Sequence, residues 1–443
     1  MDRRWFLRSA AGIGAGAVAG AAALREMVNP TAAVADSALA AVEGAPLPPP
    51  PAALDPGNIP YWLQVRNSFP VRRDPLYVNN GGLGPSPYES IHMLKRMIDQ
   101  QELECSTLHS GVLWNSVKEK AGRCLGCDAD EIAYTRNATE GINIIANGLP
   151  LKEGDEVITT THEHVGNTIA WVARQKRDGI VIKTFTPSME SAEENIKRMK
   201  ALITKRTRAF NVTHVSTVGQ LMPVNEIGKL AAKHGIYYFV DGAQAPGMMP
   251  VDVRAIGCHA YATSGHKWLL GPKGTGLLYV RKDTLDEMDA KFVGAYSATG
   301  KFSMTTGEYH LIDSAQRYEY GTVNAPLFAG LGASMEFLLR IGLDNVWAHN
   351  HALARAFMDG LTEIGARIIT PLHPDEHSSM ITFKLDGVTQ AHLSKVLRQE
   401  AKLVIRGIYE GGFDAIRISF HAYNNFDDVE QVLAGVRTAK ATG

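Results

Sequence analysis

Apolar and polar positions follow two rhythms along the chain. Between residues 77 and 281, short runs rich in β-branched and aromatic residues recur: Glu156-Val157-Ile158-Thr159, Ile180-Val181-Ile182, Ala209-Phe210-Asn211-Val212 and Tyr237-Tyr238-Phe239-Val240. Runs of this length and composition suit buried strands. Between them lie helix patterns. Ile91, Leu94 and Ile98 fall at i, i+3 and i+7, and residues 226–234 form another amphipathic set. Alternating β and α segments predict an α/β fold with a mostly parallel central sheet and helices on both faces. In such sheets ligands collect at the carboxyl ends of strands. From about residue 300 the pattern changes to longer helices, over 327–341 and 344–365, with short strands at 380–385 and 415–420. That predicts a large domain over 61–300, whose N-terminal segment contributes to a smaller α+β domain over 301–443.

The start of the chain follows neither rhythm. Asp2-Arg3-Arg4-Trp5-Phe6-Leu7-Arg8-Ser9 is followed by an uncharged Gly/Ala-rich run from Ala10 to Leu24 and a small-residue site at Ala33-Val34-Ala35. A basic start, a short apolar stretch and a small-residue site have the anatomy of an export signal, here expected over 1–35. The paired arginines followed by Phe-Leu-Arg resemble the twin-arginine (Tat) signal, which implies the Tat machinery as a partner and export of the folded protein to the periplasm. The apolar run is too short for a stable membrane anchor. Residues 36–60 are Ala- and Pro-rich, including Pro48-Pro49-Pro50-Pro51, and read as a linker.

Composition narrows the function classes. The 443 residues include 45 Lys+Arg and 46 Asp+Glu, a net charge of −1 that offers no field for holding nucleic acid. Four cysteines in this length make no disulfide framework. Cys124-x-x-Cys127 has no second CxxC and ends a helix pattern, so it reads as structural. His162-x-His164 has no third ligand nearby in the sequence, and no metal site is expected.

Two segments carry the chemistry. A buried strand ends in Asp241-Gly242-Ala243-Gln244, and a second short strand ends in Ser264-Gly265-His266-Lys267-Trp268, 26 positions beyond Asp241. A strand-end acid and a strand-end lysine can point into one crevice. Partial burial depresses an amine's pKa and makes it a nucleophile. Pyridoxal phosphate (PLP) requires such a lysine for its Schiff base and a carboxylate at its pyridine nitrogen.

These segments resemble the class V aminotransferase family of fold-type I PLP enzymes, and the likeness runs in order over nearly the whole chain after about Tyr61. It implies PLP as the cofactor, with Lys267 holding it and moving the α-proton. It implies that Asp241 pairs with the pyridinium nitrogen, that Gln244 hydrogen-bonds the ring oxygen and that His164, in Glu163-His164-Val165-Gly166-Asn167, stacks on the ring. The amides of Ala138 and Thr139, at a helix start, would meet the phosphate together with Ser264 and His266. Thr322, in Tyr320-Gly321-Thr322, would reach the phosphate across a homodimer interface. Arg417 would clamp the substrate α-carboxylate. Asn80, in the entry loop Asn79-Asn80-Gly81-Gly82, is a further substrate-side candidate.

The chain departs from the family's desulfurases at two places. Residues 407–413 read Gly-Ile-Tyr-Glu-Gly-Gly-Phe, where desulfurases carry a nucleophilic cysteine, and Thr217 stands where they place asparagine near the ring oxygen. Both departures point toward the isopenicillin N epimerase-like branch. The expected activity is therefore periplasmic transamination or epimerisation at the amino-bearing carbon, through a Cα carbanion. Its substrate would be a small amino acid or a peptide-like metabolite, as in siderophore tailoring of the pyoverdine type. A C–S or Cβ lyase is the alternative, a cysteine desulfurase ranks lower, and a non-catalytic binding protein is disfavoured by the intact Lys267, Asp241 and Arg417. His109, Trp114, Tyr296, His310, Arg406 and Tyr409 are candidate specificity residues that the sequence does not rank.

Overall fold

The computed structural model describes residues 47–51, 54–107 and 112–443, so the expected export signal lies outside the described residues. An entry strand, β1 (Leu76–Tyr77), precedes the main sheet. That sheet contains β2 (Ile132–Thr135), β3 (Glu156–Thr160), β4 (Val181–Phe185), β5 (Thr207–Thr213), β6 (Tyr237–Asp241), β7 (Ala260–Ser264) and β8 (Gly276–Val280) in the order β2-β8-β7-β6-β5-β3-β4. The run β4-β3-β5-β6-β7 is parallel throughout, and β8 is antiparallel to both its neighbours. The mostly parallel α/β sheet expected from the apolar runs is thus present. Its central strands, β6 and β7, are buried at every position, as sheets covered on both faces require.

A hairpin of β9 (Ala298–Phe302) and β10 (Tyr309–Leu311) follows. Helices Ala325–Ile341 and Leu343–Ile364 lead into β11 (Arg367–Ile368), β12 (Met380–Lys384), β13 (Leu403–Val404), β14 (Arg406–Ile408) and β15 (Ala415–Ser419). Four of these form an antiparallel sheet ordered β11-β12-β15-β14, while β13 pairs in parallel with β1. Phe357, Leu361, Ile381, Phe383, Ile416, Ile418 and Val432 pack into one core between this sheet and its helices. Each such large side chain contributes about 1.5–3 kcal/mol on burial. The C-terminal helix Phe426–Thr442 is started by a capping box in which Asn425 and Asp428 satisfy each other's backbone amides.

Two connections bring the sheets to a common edge. Asn79, just past β1, bridges in parallel to Ser419 at the end of β15. The turn after β5 reaches the small sheet at Gly219, whose carbonyl accepts from both the amide and the hydroxyl of Ser378 at 2.9 Å. Gly219 has φ +91°, and a Cβ there would lie 1.9 Å from the Met380 carbonyl oxygen. Only glycine permits this approach. The carboxyl ends of β3, β5, β6 and β7 therefore face the segment carrying β14 and β15.

Candidate active site

Asp241 closes β6 and is buried. Its Oδ1 accepts from the Ala243 amide at 2.9 Å. Burial raises its carboxyl pKa, and the Ala243 hydrogen bond and the Lys267 cation oppose that rise. Lys267 follows β7 and is half-buried. Burial pushes its amine down to about 8, with Asp241 acting against the shift and the Arg417 and Arg406 cations adding to it. This is the depressed amine that the strand-end placement predicts. A pocket of about 330 Å³ collects Asp241, Lys267, His164, Ala138, Thr139, Ser264 and His266. Seven of the residues expected at one site from the sequence thus line one cavity.

The phosphate end is built by a helix start. Helix Ala138–Gly148 begins at Asn137, whose side chain accepts from the Glu140 amide at 2.9 Å. The Ala138 amide donates to Ser264 Oγ at 3.2 Å, tying β7 to the helix N-terminus. The concentrated N–H dipoles of a helix start favour an anion there. His266 Nδ1 donates to the Thr275 carbonyl at 3.2 Å, because only a protonated ring nitrogen bonds a carbonyl.

His164 is the N-cap of helix Val165–Asp178, and its Nδ1 accepts from the Gly166 amide at 3.0 Å. Burial, followed by the Lys267 cation, pushes its pKa down to about 4, so the ring is neutral. Its neighbour Glu163 was not singled out by sequence reasoning. That carboxyl accepts from Thr160 Oγ1 at 2.8 Å, Asn167 Nδ2 at 2.7 Å and the Thr213 amide at 3.2 Å. It locks the turn after β3 to the end of β5, and Thr213 is the register partner of Asp241. The signal for it was present in the Glu-His-x-x-Asn spacing.

Arg417, on β15, is fully buried. Its Nη1 donates to the Thr217 carbonyl at 3.1 Å, while its Nε and Nη2 have no hydrogen-bond partner among the described residues. Burial lowers its pKa to about 9. A buried cation with unmet donors costs several kcal/mol and persists where a ligand anion completes it. Gly81 lies against it, where a Cβ would come within 2.9 Å of Nη2.

Other expected residues lie beside the pocket rather than on its wall. Gln244 is held at both ends, its Nε2 donating to the Gly81 carbonyl at 3.0 Å and its Oε1 accepting from Trp268 Nε1 at 2.7 Å. Asn80 is buried with Oδ1 accepting from Tyr423 Oη at 3.1 Å, and it is Gly81 and Gly82 of that loop that line the cavity. Thr217 contributes its carbonyl to Arg417 and points its hydroxyl toward the His162 carbonyl, 3.5 Å away. Thr322 lines a different cavity of about 380 Å³ with Arg136, Tyr320 and Asn324. Of the specificity candidates, Arg406 alone lines the Lys267 pocket among the described residues, and His109 lies outside them. Cys124 is buried at the end of helix Val112–Leu125, and burial raises its thiol to about 12.

A family model described as "Aminotransferase class-V" matches residues 104–432. The chain belongs to that family. Its relatives include a probable cysteine desulfurase of Methanothermobacter thermautotrophicus, 28% identical over 83% of this chain and 95% of the relative. A cysteine desulfurase of Haloferax volcanii is 29% identical over 82% and 89%. Among solved structures, the apo cysteine desulfurase of Thermococcus onnurineus NA1 matches with a TM-score of 0.75 and 26% identity, over 86% of this chain and 98% of that one. The fold is that of fold-type I PLP enzymes; one solved structure sharing it, 24% identical, is described with glycine covalently linked to its PLP cofactor. The donor set fits the group: a helix start for a phosphate, a buried carboxylate and a depressed amine share one cavity.

These relatives overturn the expected activity. Transamination or epimerisation ranked first and desulfuration low, yet the relatives are named cysteine desulfurases. The epimerase-like branch is likewise not where they fall. The expectation gave too much weight to one missing loop cysteine and to Thr217, which are local features that the likeness along the rest of the chain outweighs.

Lys267 yields a pH prediction. In the protein freed of PLP, the fraction of neutral amine grows as pH rises through about 8, well below an ordinary lysine. PLP capture followed by absorbance is therefore expected to accelerate from about pH 6.5, be half-maximal near 8 and level off roughly one pH unit higher. Acceleration continuing beyond pH 10 would show an unperturbed amine.

Proposed function

We propose that this protein is a PLP-dependent enzyme that releases the sulfur substituent from Cβ of cysteine or a cysteine-derived amino acid, without a cysteine on the 407–413 segment taking up the sulfur. The observation that carries this reading is that Lys267 and Asp241 share one cavity while the donor-rich Arg417 lies behind its Gly81 wall, in a chain whose relatives are named cysteine desulfurases. When bound, PLP supplies an electron sink for the Cα–H bond of an amino acid joined to it. Lys267 positions the amine that takes the Cα proton and returns it. Asp241 would hold the pyridine nitrogen of the cofactor and favour its protonated form, and neutral His164 would face the ring without adding charge. Arg417 orients the α-carboxylate through Nε and Nη2, which presents the Cα proton to Lys267.

The chain's cysteines are Cys105, Cys124, Cys127 and Cys258, all outside 407–413. Sulfur therefore passes to a thiol supplied from outside: the thiol attacks the substrate sulfur, the Cβ–S bond breaks with its electron pair left on Cβ, which takes up a proton, and the resulting persulfide is reduced to sulfide by the dithiol. Residues 1–35 support export through the twin-arginine route, and the position of Thr322 away from its own chain's Lys267 pocket supports a homodimer in which it reaches the partner's site.

Product analysis with L-cysteine and dithiothreitol tests the reading. Alanine and sulfide in equal amounts are expected. Pyruvate with ammonia would reassign the enzyme to elimination, and silence toward every sulfur amino acid would overturn the reading.

A further inference from the structure

Arg406 and Arg417 stand directly opposite each other in the β14–β15 pair. Like charges placed across a strand pair repel; Arg406 lines the Lys267 pocket, and Arg417 lies behind its wall, against the pocket-lining Gly81. Their charges are met differently. Arg406 is paired with Glu410, four residues on, in the short turn that follows β14. Arg417 forms no ion pair among the described residues and keeps two donors unmet. One α-carboxylate completes Arg417 and leaves Arg406 without a role in a neutral substrate. Arg406 nevertheless lines the pocket, and its charge is felt by Lys267, His164 and Arg417 alike.

We propose that Arg406 is a second anion subsite, that Glu410 is its resting counter-ion, and that the preferred substrate is an amino acid whose side chain also ends in an anion. This rests on the proposed function above for the Cα chemistry and adds the substrate class, a cysteine-type amino acid whose sulfur substituent carries a carboxylate or an oxyacid. Glu410 suits the role of a displaceable partner. Its side chain keeps 30% exposure, and it sits in a turn with Gly411 and Gly412 behind it, so it can give up the guanidinium and turn to water. The guanidinium of Arg406 is planar and takes a carboxylate from the ligand in the same bidentate manner. The turn thus occupies the place of a nucleophile-bearing loop with a charge-selecting device.

The test is ligand binding to the PLP-loaded protein by calorimetry, with succinate and butyrate as unreactive probes. The two have the same chain length and differ by one carboxylate. Wild type is expected to bind succinate roughly tenfold or more tighter than butyrate, the effect of one additional charge-assisted pair. Arg406→Gln should bring the two affinities together by weakening succinate much more than butyrate. Glu410→Gln should tighten succinate several-fold, because the internal competitor is gone. Equal affinities in wild type, or a preference that survives Arg406→Gln, would overturn the subsite. The two readings fail separately. Succinate preference without sulfur release leaves the subsite standing and removes the desulfurating role, whereas alanine formation from L-cysteine without succinate preference does the reverse.

Discussion

Lys267→Ala is expected to purify without covalently held PLP and with turnover reduced by at least about 10³-fold, the scale set by losing both a nucleophile and a positioned proton carrier. Burial pushes this amine down to about 8, so at neutral pH a useful fraction is neutral, and Asp241 shares its pocket. No other lysine lines that cavity among the described residues. The fold should be indifferent to the change, because the side chain opens into the pocket rather than into the core. Unfolding by urea should therefore match wild type when both are compared without PLP. A Lys267→Ala protein with full turnover would remove the lysine from the chemistry.

Replacing Arg417 by methionine separates binding from stability. The guanidinium is fully buried, leans on the Thr217 carbonyl and has two unmet donors. Two charge-assisted hydrogen bonds to a substrate carboxylate are worth about 1.5–3 kcal/mol each, so kcat/KM should fall roughly 10²-fold or more, mostly through KM. Removing an uncompensated buried cation in favour of an apolar chain of similar length should leave the urea midpoint unchanged or raise it. PLP should remain bound. A large loss of stability with unchanged kinetics would make Arg417 a structural residue.

Much of this arrangement was legible because it depends on local pattern. The run 237–240 became β6 with Asp241 at its carboxyl end, and the helix pattern 226–234 became Val224–His234. Strand polarity then fixes which end of the sheet holds the ligand. Arg417 falls in the strand expected over 415–420, and its role came from the family resemblance rather than from the pattern. What the pattern did not reveal depends on contacts far apart in the chain. Gln244 is turned between Gly81 and Trp268, which no spacing announces. Arg406 could be ranked above Tyr296, His310 and Tyr409 only once β14 was registered against β15. The activity was misjudged for a related reason. The missing cysteine in 407–413 and Thr217 are local departures, whereas the likeness to proteins named cysteine desulfurases runs over most of the chain.

The most direct test of the central claim is reduction of the PLP-loaded protein with borohydride, followed by proteolysis and mass spectrometry. The pocket of Lys267, Asp241 and the helix start at Ala138 predicts a pyridoxyl-phosphate mass on the peptide containing Lys267 and on no other. A label on a different lysine, or none on a yellow protein, would contradict it.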